Sequence, residues 1–325
     1  MTRPSAVPPP VTAVLDASSR WLPLRLAEVE ERLREQGRGH GELLGADVEA
    51  TLAAGGKRLR PLLVLICAGP DGSAAAVRAA TAIELVHMAT LVHDDVLDAA
   101  PLRRGVPTIA ATAGRDRAIS VGDLLFSRAF ALLAEHGDSG NTSLLASASV
   151  ALAEGELAQR QDAFDTSVSE ERYLQRCRLK TAKLFECACL MGFGERDGRE
   201  EMARFGSGIG LAFQLLDDVL DVSGPPERTG KARGTDLLDG TVTLPLILAA
   251  REDHAIAKLD LRTLDAARAE ALCDRITATG ALDLVRSRAL ELVAEAKSAL
   301  GANAFNAEQR QLLGLVADGV VQRYS

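Results

Sequence analysis

Apolar residues recur at intervals of three and four positions along most of the chain, the spacing that places side chains on one face of an α-helix. The clearest case is the segment 201–221, in which Phe205, Ile209 and Ala212 begin one apolar stripe. Gly224 and the two prolines that follow it predict the end of this helix. Alternation with a period of two, which is typical of strands, is scarce. The pattern therefore predicts an all-α fold.

A second long helix is predicted over residues 74–98, because Val86, Thr90 and Asp94 fall on one face at helical spacing. Ser169, followed by two glutamates, predicts the first turn of a helix that runs to about Gly192. Further helices are predicted at 48–54, 61–67, 122–135, 143–161, 244–251 and 264–300.

The bulk composition indicates one globular protein. The chain has 325 residues, 47% of them apolar, and no Pro-, Gly- or Ser-rich linker divides it. We expect one helical domain over 16–325 behind a disordered Pro-rich tail over 1–15, with two domains as the alternative. The longest apolar run, 62–68, is too short to cross a bilayer, and the N-terminus lacks a signal-peptide core. A net charge of −8 argues against a nucleic-acid partner. The five scattered cysteines, without a C-x-x-C pair, are typical of reduced cytosolic thiols, so a cytoplasmic protein without a transmembrane segment is expected.

Two copies of the motif D-D-x-x-D lie near the ends of the two long apolar helices. They comprise Asp94, Asp95 and Asp98, and then Asp217, Asp218 and Asp221. Carboxylates at i and i+4 repel one another, and a helix C-terminus disfavours negative charge. Mg²⁺ would relieve this repulsion, because it takes oxygen ligands from one or two carboxylates, water and phosphate. A solvated acidic face is the alternative, but both motifs stand in otherwise apolar segments.

Cations cluster at several points that could hold an anionic ligand. Lys57, Arg58 and Arg60 form a Gly-flanked basic turn before a helix, a natural diphosphate site. Other candidates are Arg103 and Arg104 after the first acidic motif, the isolated Lys180 and Lys231, and His87, two helical turns before Asp94. A lone lysine or arginine is more typical of a solvated surface, and a lone helix histidine of a structural role, so the prediction depends on their combination with the aspartates.

Residues 55–245 carry an ordered set of motifs, namely G-G-K-R-L-R-P, H-D-D-V-L-D, P-L-R-R-G, V-G-D-L-L, K-T-A-K-L-F, F-Q-L-L-D-D-V-L-D, G-K-x-x-G-T-D-L and T-L-P. This set resembles the trans-isoprenyl diphosphate synthases, also called polyprenyl synthetases. The resemblance implies a single-domain antiparallel helical bundle around a deep central cavity, usually a homodimer. It also implies a transferase that condenses an allylic diphosphate with isopentenyl diphosphate. One departure is Thr241, where the family often has a lysine that would contact phosphate.

The family's site residues can be carried over to matching positions. For isopentenyl diphosphate they are Lys57, Arg60, His87 and Arg104, with Arg58 in the same turn. For the allylic diphosphate they are Arg103, Lys180, Thr181, Gln214 and Lys231. Asp94 and Asp98 would ligate two Mg²⁺ ions and Asp217 a third, with Asp95, Asp218 and Asp221 completing the motifs. The residues expected to act in catalysis are Asp94, Asp98, Lys180, Asp217 and Lys231.

Product length is predicted from the residues one turn before the first acidic motif. Short-chain members of the family often place an aromatic residue there, whereas this chain has Ala89 and Thr90. Val86 lies one helical turn before Thr90. The pocket should therefore continue past that level and admit a geranylgeranyl or longer product. Phe126 and Phe130 could close it instead.

Three other functions fit the sequence less well. A terpene cyclase of related fold would not need the basic turn at Lys57, and it typically lacks the second aspartate motif. A head-to-head condensing enzyme of the squalene type is disfavoured by the same turn. A non-enzymatic helical scaffold would leave the clustered carboxylates unexplained.

Overall fold

The computed structural model of the protein describes residues 9–18, 21–53, 56–103, 105–224, 233–301 and 305–322. Helices dominate these residues, which confirms the predicted all-α class. Contacts group them into two units, the first comprising Met1–Ser147, Cys187–Ala203 and Gly301–Gly319. The second comprises Ala148–Glu186, Arg204–Leu300 and Val320–Ser325. Because each unit is assembled from separated segments, the units are not two successive domains.

The N-terminal helices belong to the first unit. They are α1 Pro9–Ala17, α2 Trp21–Gly37, α3 Gly41–Ala53, α4 Leu59–Ala68, α5 Ala74–Leu97, α6 Ile109–Ala113 and α7 Arg115–Ala134. A short antiparallel hairpin of β1 (Leu102–Arg103) and β2 (Val106–Pro107) follows α5. Helix α5 is largely buried and packs chiefly against α7 and α4. Ser73 caps it by accepting a hydrogen bond from the N–H of Ala75 at 3.2 Å. This helix carries the first acidic motif near its end.

The later helices contribute mainly to the second unit. They are α8 Ser139–Gln161, α9 Glu170–Cys177, α10 Lys183–Phe193, α11 Arg199–Ser223, α12 Thr235–Leu238, α13 Leu244–Glu252, α14 His254–Ala257, α15 Ala266–Ala278, α16 Ala281–Ala299 and α17 Ala307–Gln322. Helices α8, α10, α11 and α17 contribute residues to both units. A π-helical turn, Arg178–Ala182, joins α9 to α10, and Leu261–Thr263 forms a 3₁₀ turn. The Ser169 side chain caps α9, as predicted, by accepting from the N–H of Arg172 at 3.2 Å.

Two predicted segments differ from the structure. Helix α1 begins at Pro9, inside the segment predicted as a disordered tail, because proline is tolerated in a first helical turn and Val11 and Val14 are buried. Residues 1–8 of that tail lie outside the described residues. The helix predicted over 264–300 is two helices, since Gly280 adopts φ 78° between α15 and α16. The predicted boundary at residue 16 otherwise stays a prediction.

Helix α5 is unusually apolar. By length and composition Ala74–Leu97 could span a bilayer, yet 67% of its most apolar window is buried inside the fold. A core helix of a water-soluble protein has the same character, and the packing of α5 on α4 and α7 accounts for its composition.

Candidate active site

The first acidic motif lies at the C-terminal end of α5. Asp94 is half-buried, Asp95 is buried and Asp98 is exposed at the position that ends the helix. The Nε of Arg103, on β1, donates to Oδ1 of Asp95 at 2.6 Å. The hairpin therefore brings a cation back to the middle carboxylate of the motif.

A cavity of about 80 Å³ opens beside this motif. Its ionisable lining residues are Arg58, Glu84, His87, Asp95 and Arg103, and the rest of the lining is apolar apart from two threonines. Four of these five residues were singled out from the sequence. The structure therefore brings the basic turn, the predicted histidine and the first acidic motif to one place within the first unit.

The basic turn before α4 is more enclosed than its charge suggested. Arg58 is 7% exposed, and its guanidinium contacts two carboxylates, those of Glu30 at 2.6 Å and Glu84 at 2.8 Å. Burial acts to lower the pKa of Arg58, but the charges of Glu84 and Glu30 outweigh it and raise that pKa. Lys57 is half-buried. The structure thus gives Arg58 two partners inside the chain, and its contact with a substrate stays a prediction.

Arg60 is half-buried as a whole, with its Nε enclosed by protein. Burial lowers the pKa of Arg60 to about 10, against the attraction of Glu84. Its guanidinium therefore remains a cation at neutral pH and a suitable partner for a phosphate. Arg104, predicted to act with it, lies outside the described residues.

The second acidic motif lies near the end of α11, and its middle residue is again the buried one. Asp218, 2% exposed, accepts a hydrogen bond from the hydroxyl of Tyr173 and another from Nε2 of Gln214 at 2.8 Å. Thr181 donates to Oε1 of Gln214 at 2.7 Å, so both predicted binders join this network. Burial, with the charge of Asp236, raises the pKa of Asp218 to about 8. A carboxylate in such surroundings is stabilised by an added cation.

The remaining members of the second motif are half-buried. Asp217 and Asp221 lie on either side of Asp218 in the sequence of α11, and Oδ2 of Asp221 accepts from the N–H of Asp236 at 3.3 Å. The segment that follows α11 contains Lys231, which lies outside the described residues.

Lys180 lies on the π-helical turn between α9 and α10, where its ammonium pairs with the carboxylate of Glu156 on α8. Burial acts to raise the pKa of Glu156, but Lys180 outweighs it, so that pKa lies below its ordinary value. Gly155 permits the close approach, because a Cβ there would lie 2.5 Å from the backbone nitrogen of Lys180. Gly155 and Glu156 therefore jointly fix the position of Lys180, the predicted catalytic lysine.

These donors fit a divalent cation that also binds phosphate. Among the residues the structure describes, no three His, Cys, Asp or Glu side chains converge into a ready-made metal cage. Mg²⁺ does not need one, since it keeps several waters and takes one or two carboxylates together with substrate phosphates. The aspartates of both motifs supply only oxygen donors, the ligand type that Mg²⁺ takes.

The residues of the predicted chain-length pocket lie on α5. Val86 and Ala89 are fully buried, and Thr90 is half-buried and donates its hydroxyl to the carbonyl of His87 at 2.7 Å. Phe126 on α7 stacks on His93 with ring centroids 6.0 Å apart. Phe130, the other aromatic considered, is also half-buried on α7. The level of Ala89 is therefore enclosed by the packing of α5.

Sequence reasoning missed the partners of the predicted residues, namely Glu30, Glu84, Glu156 and Tyr173. Glu84 had a signal, because it is the one aspartate, glutamate, lysine or arginine between Arg78 and Asp94 and precedes His87 by one helical turn. Glu30 and Tyr173 had none, since each meets its partner across a large sequence separation.

Comparison with known proteins gives consistent results. The family model for polyprenyl synthetase matches residues 42–278. Component 2 of the heptaprenyl diphosphate synthase of Geobacillus stearothermophilus is 39% identical over 285 residues, covering 85% of this chain and 88% of the relative. The geranylgeranyl diphosphate synthase of Methanosarcina mazei is 34% identical, covering 83% of this chain and 86% of its own. A polyprenyl synthase from Caulobacter crescentus, complexed with calcium and isoprenyl diphosphate, superposes with a TM-score of 0.88 at 34% identity, covering 96% and 98% of the two chains.

Proposed function

The chain belongs to the polyprenyl synthetase family and is a transferase of the prenyl diphosphate synthase type, and on that premise we propose that it is Mg²⁺-dependent and condenses an allylic diphosphate with isopentenyl diphosphate, head to tail. The product proposed is a trans-polyprenyl diphosphate of geranylgeranyl length or longer. The observation that carries this proposal is the pair of acidic motifs on α5 and α11, each with a buried middle aspartate and nearby cationic or hydrogen-bonding side chains.

Isopentenyl diphosphate is assigned to two cations of the basic turn before α4 and to Arg104, as the family resemblance implies. Lys57, Arg60 and Arg104 would bind its diphosphate, and His87, which lines the cavity beside α5, would contribute a hydrogen bond. Arg58 lies in the same turn as Lys57 and Arg60. Because its guanidinium contacts two glutamates, we assign it the role of holding that turn. The allylic diphosphate is assigned to Arg103, Lys180, Thr181, Gln214 and Lys231.

Three Mg²⁺ ions are proposed per site, two on Asp94 and Asp98 and one on Asp217, with Asp95, Asp218 and Asp221 supporting them. When bound, the ions would stabilise the negative charge that develops on the departing diphosphate. A divalent metal suits the oxygen-only donor set, and the Caulobacter relative was solved with calcium.

The chain's own residues would then perform two tasks, binding the leaving group and excluding water. Lys180, held by Glu156, and Arg103, held by Asp95, would bind the leaving diphosphate while the allylic C–O bond breaks. The alkene of isopentenyl diphosphate would attack the allylic cation, and a proton would be lost to the departing diphosphate. Apolar side chains along α5 would keep water away from that cation.

Product length is proposed from the sequence of α5, because the small Ala89 stands where short-chain members of the family often have an aromatic residue. The test is incubation with farnesyl diphosphate and excess isopentenyl diphosphate, followed by sizing of the products. We expect chains beyond geranylgeranyl, and release of geranylgeranyl alone would defeat the long-chain proposal. Hydrocarbon from an allylic diphosphate alone would indicate a terpene cyclase instead.

A homodimer and a cytoplasmic location complete the proposal. The homodimer is proposed from the family resemblance alone, and the burial of the apolar helix inside the fold supports the proposed location. Sedimentation velocity of the purified chain tests the first, and fractionation of the native cells tests the second.

A further inference from the structure

Arg58 occupies an unusual backbone position next to two proposed substrate-binding residues. Its φ is 49° and its ψ is 32°, the left-handed region that residues with a Cβ seldom adopt. Lys57 precedes it, and Arg60 follows in the first turn of α4. The backbone conformation of Arg58 therefore determines how Lys57 and Arg60 are oriented relative to each other.

The guanidinium of Arg58 bridges three helices of the first unit. It contacts Glu30 of α2 at 2.6 Å, Glu84 of α5 at 2.8 Å and the carbonyl of Leu52, on α3, at 3.4 Å. The planar fork of arginine suits such simultaneous contacts, which a lysine could not reproduce. These contacts compensate for the strained backbone and fix the turn between α3 and α4.

Glu84 is the most deeply buried acid in this arrangement, at 3% exposure, whereas Glu30 is 31% exposed. Its charge also acts on Arg60, whose Nε is enclosed. One helical turn later on α5 stands His87, and both residues line the same cavity. Glu84 thus lies behind the proposed isopentenyl diphosphate residues.

We infer that Glu84 is a positioning residue for this site: through Arg58 it fixes the left-handed turn that places Lys57 and Arg60 for the diphosphate of isopentenyl diphosphate. Glu84 repels an anion and does not bind the substrate itself. Arg58 acts in the same way, as the link between Glu84 and the turn. The inference rests on the function proposed above.

The main experiment is a double-mutant cycle of Glu84→Gln, Arg58→Gln and the combined variant, with steady-state kinetics in each substrate. Glu84→Gln keeps the shape and removes the charge, so KM for isopentenyl diphosphate should rise about tenfold, the size of one lost charge-assisted hydrogen bond. The kcat and the KM for the allylic diphosphate should change by less than about twofold, because their residues are untouched. The combined variant should be no worse than Arg58→Gln alone, since Glu84 acts through Arg58.

Controls separate this role from general stability. Glu28→Gln removes an exposed acid of the same α2 helix as Glu30 and should leave every constant unchanged. If Glu84→Gln does not fold, Glu30→Gln weakens the same guanidinium at its more exposed side and should raise KM for isopentenyl diphosphate severalfold. Equal effects on both substrates, effects that multiply in the combined variant, or an unchanged KM would each overturn the inference.

Failure of the proposed function gives a different result. In that case the wild-type chain forms no product from any allylic diphosphate. Calorimetric titration of wild type and Glu84→Gln with isopentenyl diphosphate alone, which needs no turnover, then tests the positioning role. Weaker binding by the variant supports the role, and equal binding contradicts it.

Discussion

Within each acidic motif, the three aspartates have different surroundings. The middle residue is the buried one in both: Asp95 contacts Arg103, and Asp218 accepts from Tyr173 and Gln214. The first residues, Asp94 and Asp217, are half-buried. Because a buried carboxylate needs partners, the middle residue is held by the protein, and the more accessible oxygens are the better candidates for an ion shared with a ligand.

Replacing Asp217 by asparagine should therefore impair the reaction more than the fold. We expect kcat/KM to fall by about 10³, comparable to the loss of a preorganised electrostatic contact in other enzymes. The melting temperature should change little, because the substitution preserves shape at a half-buried position. Steady-state kinetics at saturating Mg²⁺ make the measurement, with the exposed Asp197→Asn as control. A loss smaller than about tenfold would contradict the assignment.

Glu156 gives a pH-dependent prediction for stability. Its folded pKa lies below the ordinary value of 4.5, so its contribution is present above that value and is lost as the pH falls through the folded pKa. Glu156→Gln should thus lower the free energy of unfolding at pH 7 by about 1–3 kcal/mol, as for other hydrogen bonds to charged groups. Denaturant titrations at pH 7, 5 and 4 should show the deficit shrinking toward acid. Glu154→Gln, exposed on the same helix, should show no deficit, and a deficit that is constant with pH would refute the ion-pair explanation.

At the scale of elements, the contact between α8 and the π-helical turn is the sharpest packing constraint on the site. In Gly155→Ala the new Cβ would fall 2.5 Å from the backbone of Lys180, which cannot move aside like a flexible side chain. We expect a loss of about 1–3 kcal/mol from overpacking and a raised KM for the allylic diphosphate. Gly140→Ala on the same helix meets nothing within 4 Å and should be neutral or slightly stabilising. Equal stability of the two variants would show that the turn adapts.

Much of this element structure could be predicted from local patterns. Apolar periodicity predicted α5 and α11 to within two residues at their ends, and Ser169 predicted the start of α9. Both acidic motifs lie on these strongly periodic helices, so the sequence was sufficient to place them.

Other features depend on packing that no local pattern contains. The sequence of the π-helical turn Arg178–Ala182 is equally compatible with an ordinary α-helix. Its distinguishing feature is the close approach of its backbone to Gly155. Gly280 divides the helix predicted over 264–300, and an isolated glycine does not predict such a break because helices tolerate it. The burial of Arg58 depends on Glu30, which is remote in sequence. No local pattern therefore predicts that the Arg58 guanidinium lies between the carboxylates of Glu30 and Glu84.

For the molecule as a whole, charge is the dominant consideration. The chain carries a net charge of −8, and its proposed substrates are also anionic, so unassisted association would be opposed. In the first unit Arg103 contacts an acidic motif, and in the second Lys180 contacts the half-buried Glu156. These two side-chain cations are therefore already partly neutralised by acidic neighbours. A bound divalent ion would add the positive charge that favours binding of a diphosphate.

Mg²⁺ and diphosphate should therefore stabilise the protein together and not separately. At concentrations about 100-fold above the dissociation constant, linkage adds about 2.7 kcal/mol, which for a chain of this size raises the melting temperature by about 4 °C. Thermal melts with Mg²⁺, with inorganic pyrophosphate, with both, and with both plus a chelator give the comparison. The rise should appear only with both, vanish with the chelator and be absent in Asp217→Asn. Since a helical scaffold without a site has nothing for the pair to bind, identical melts in all four conditions would favour that reading over the enzyme.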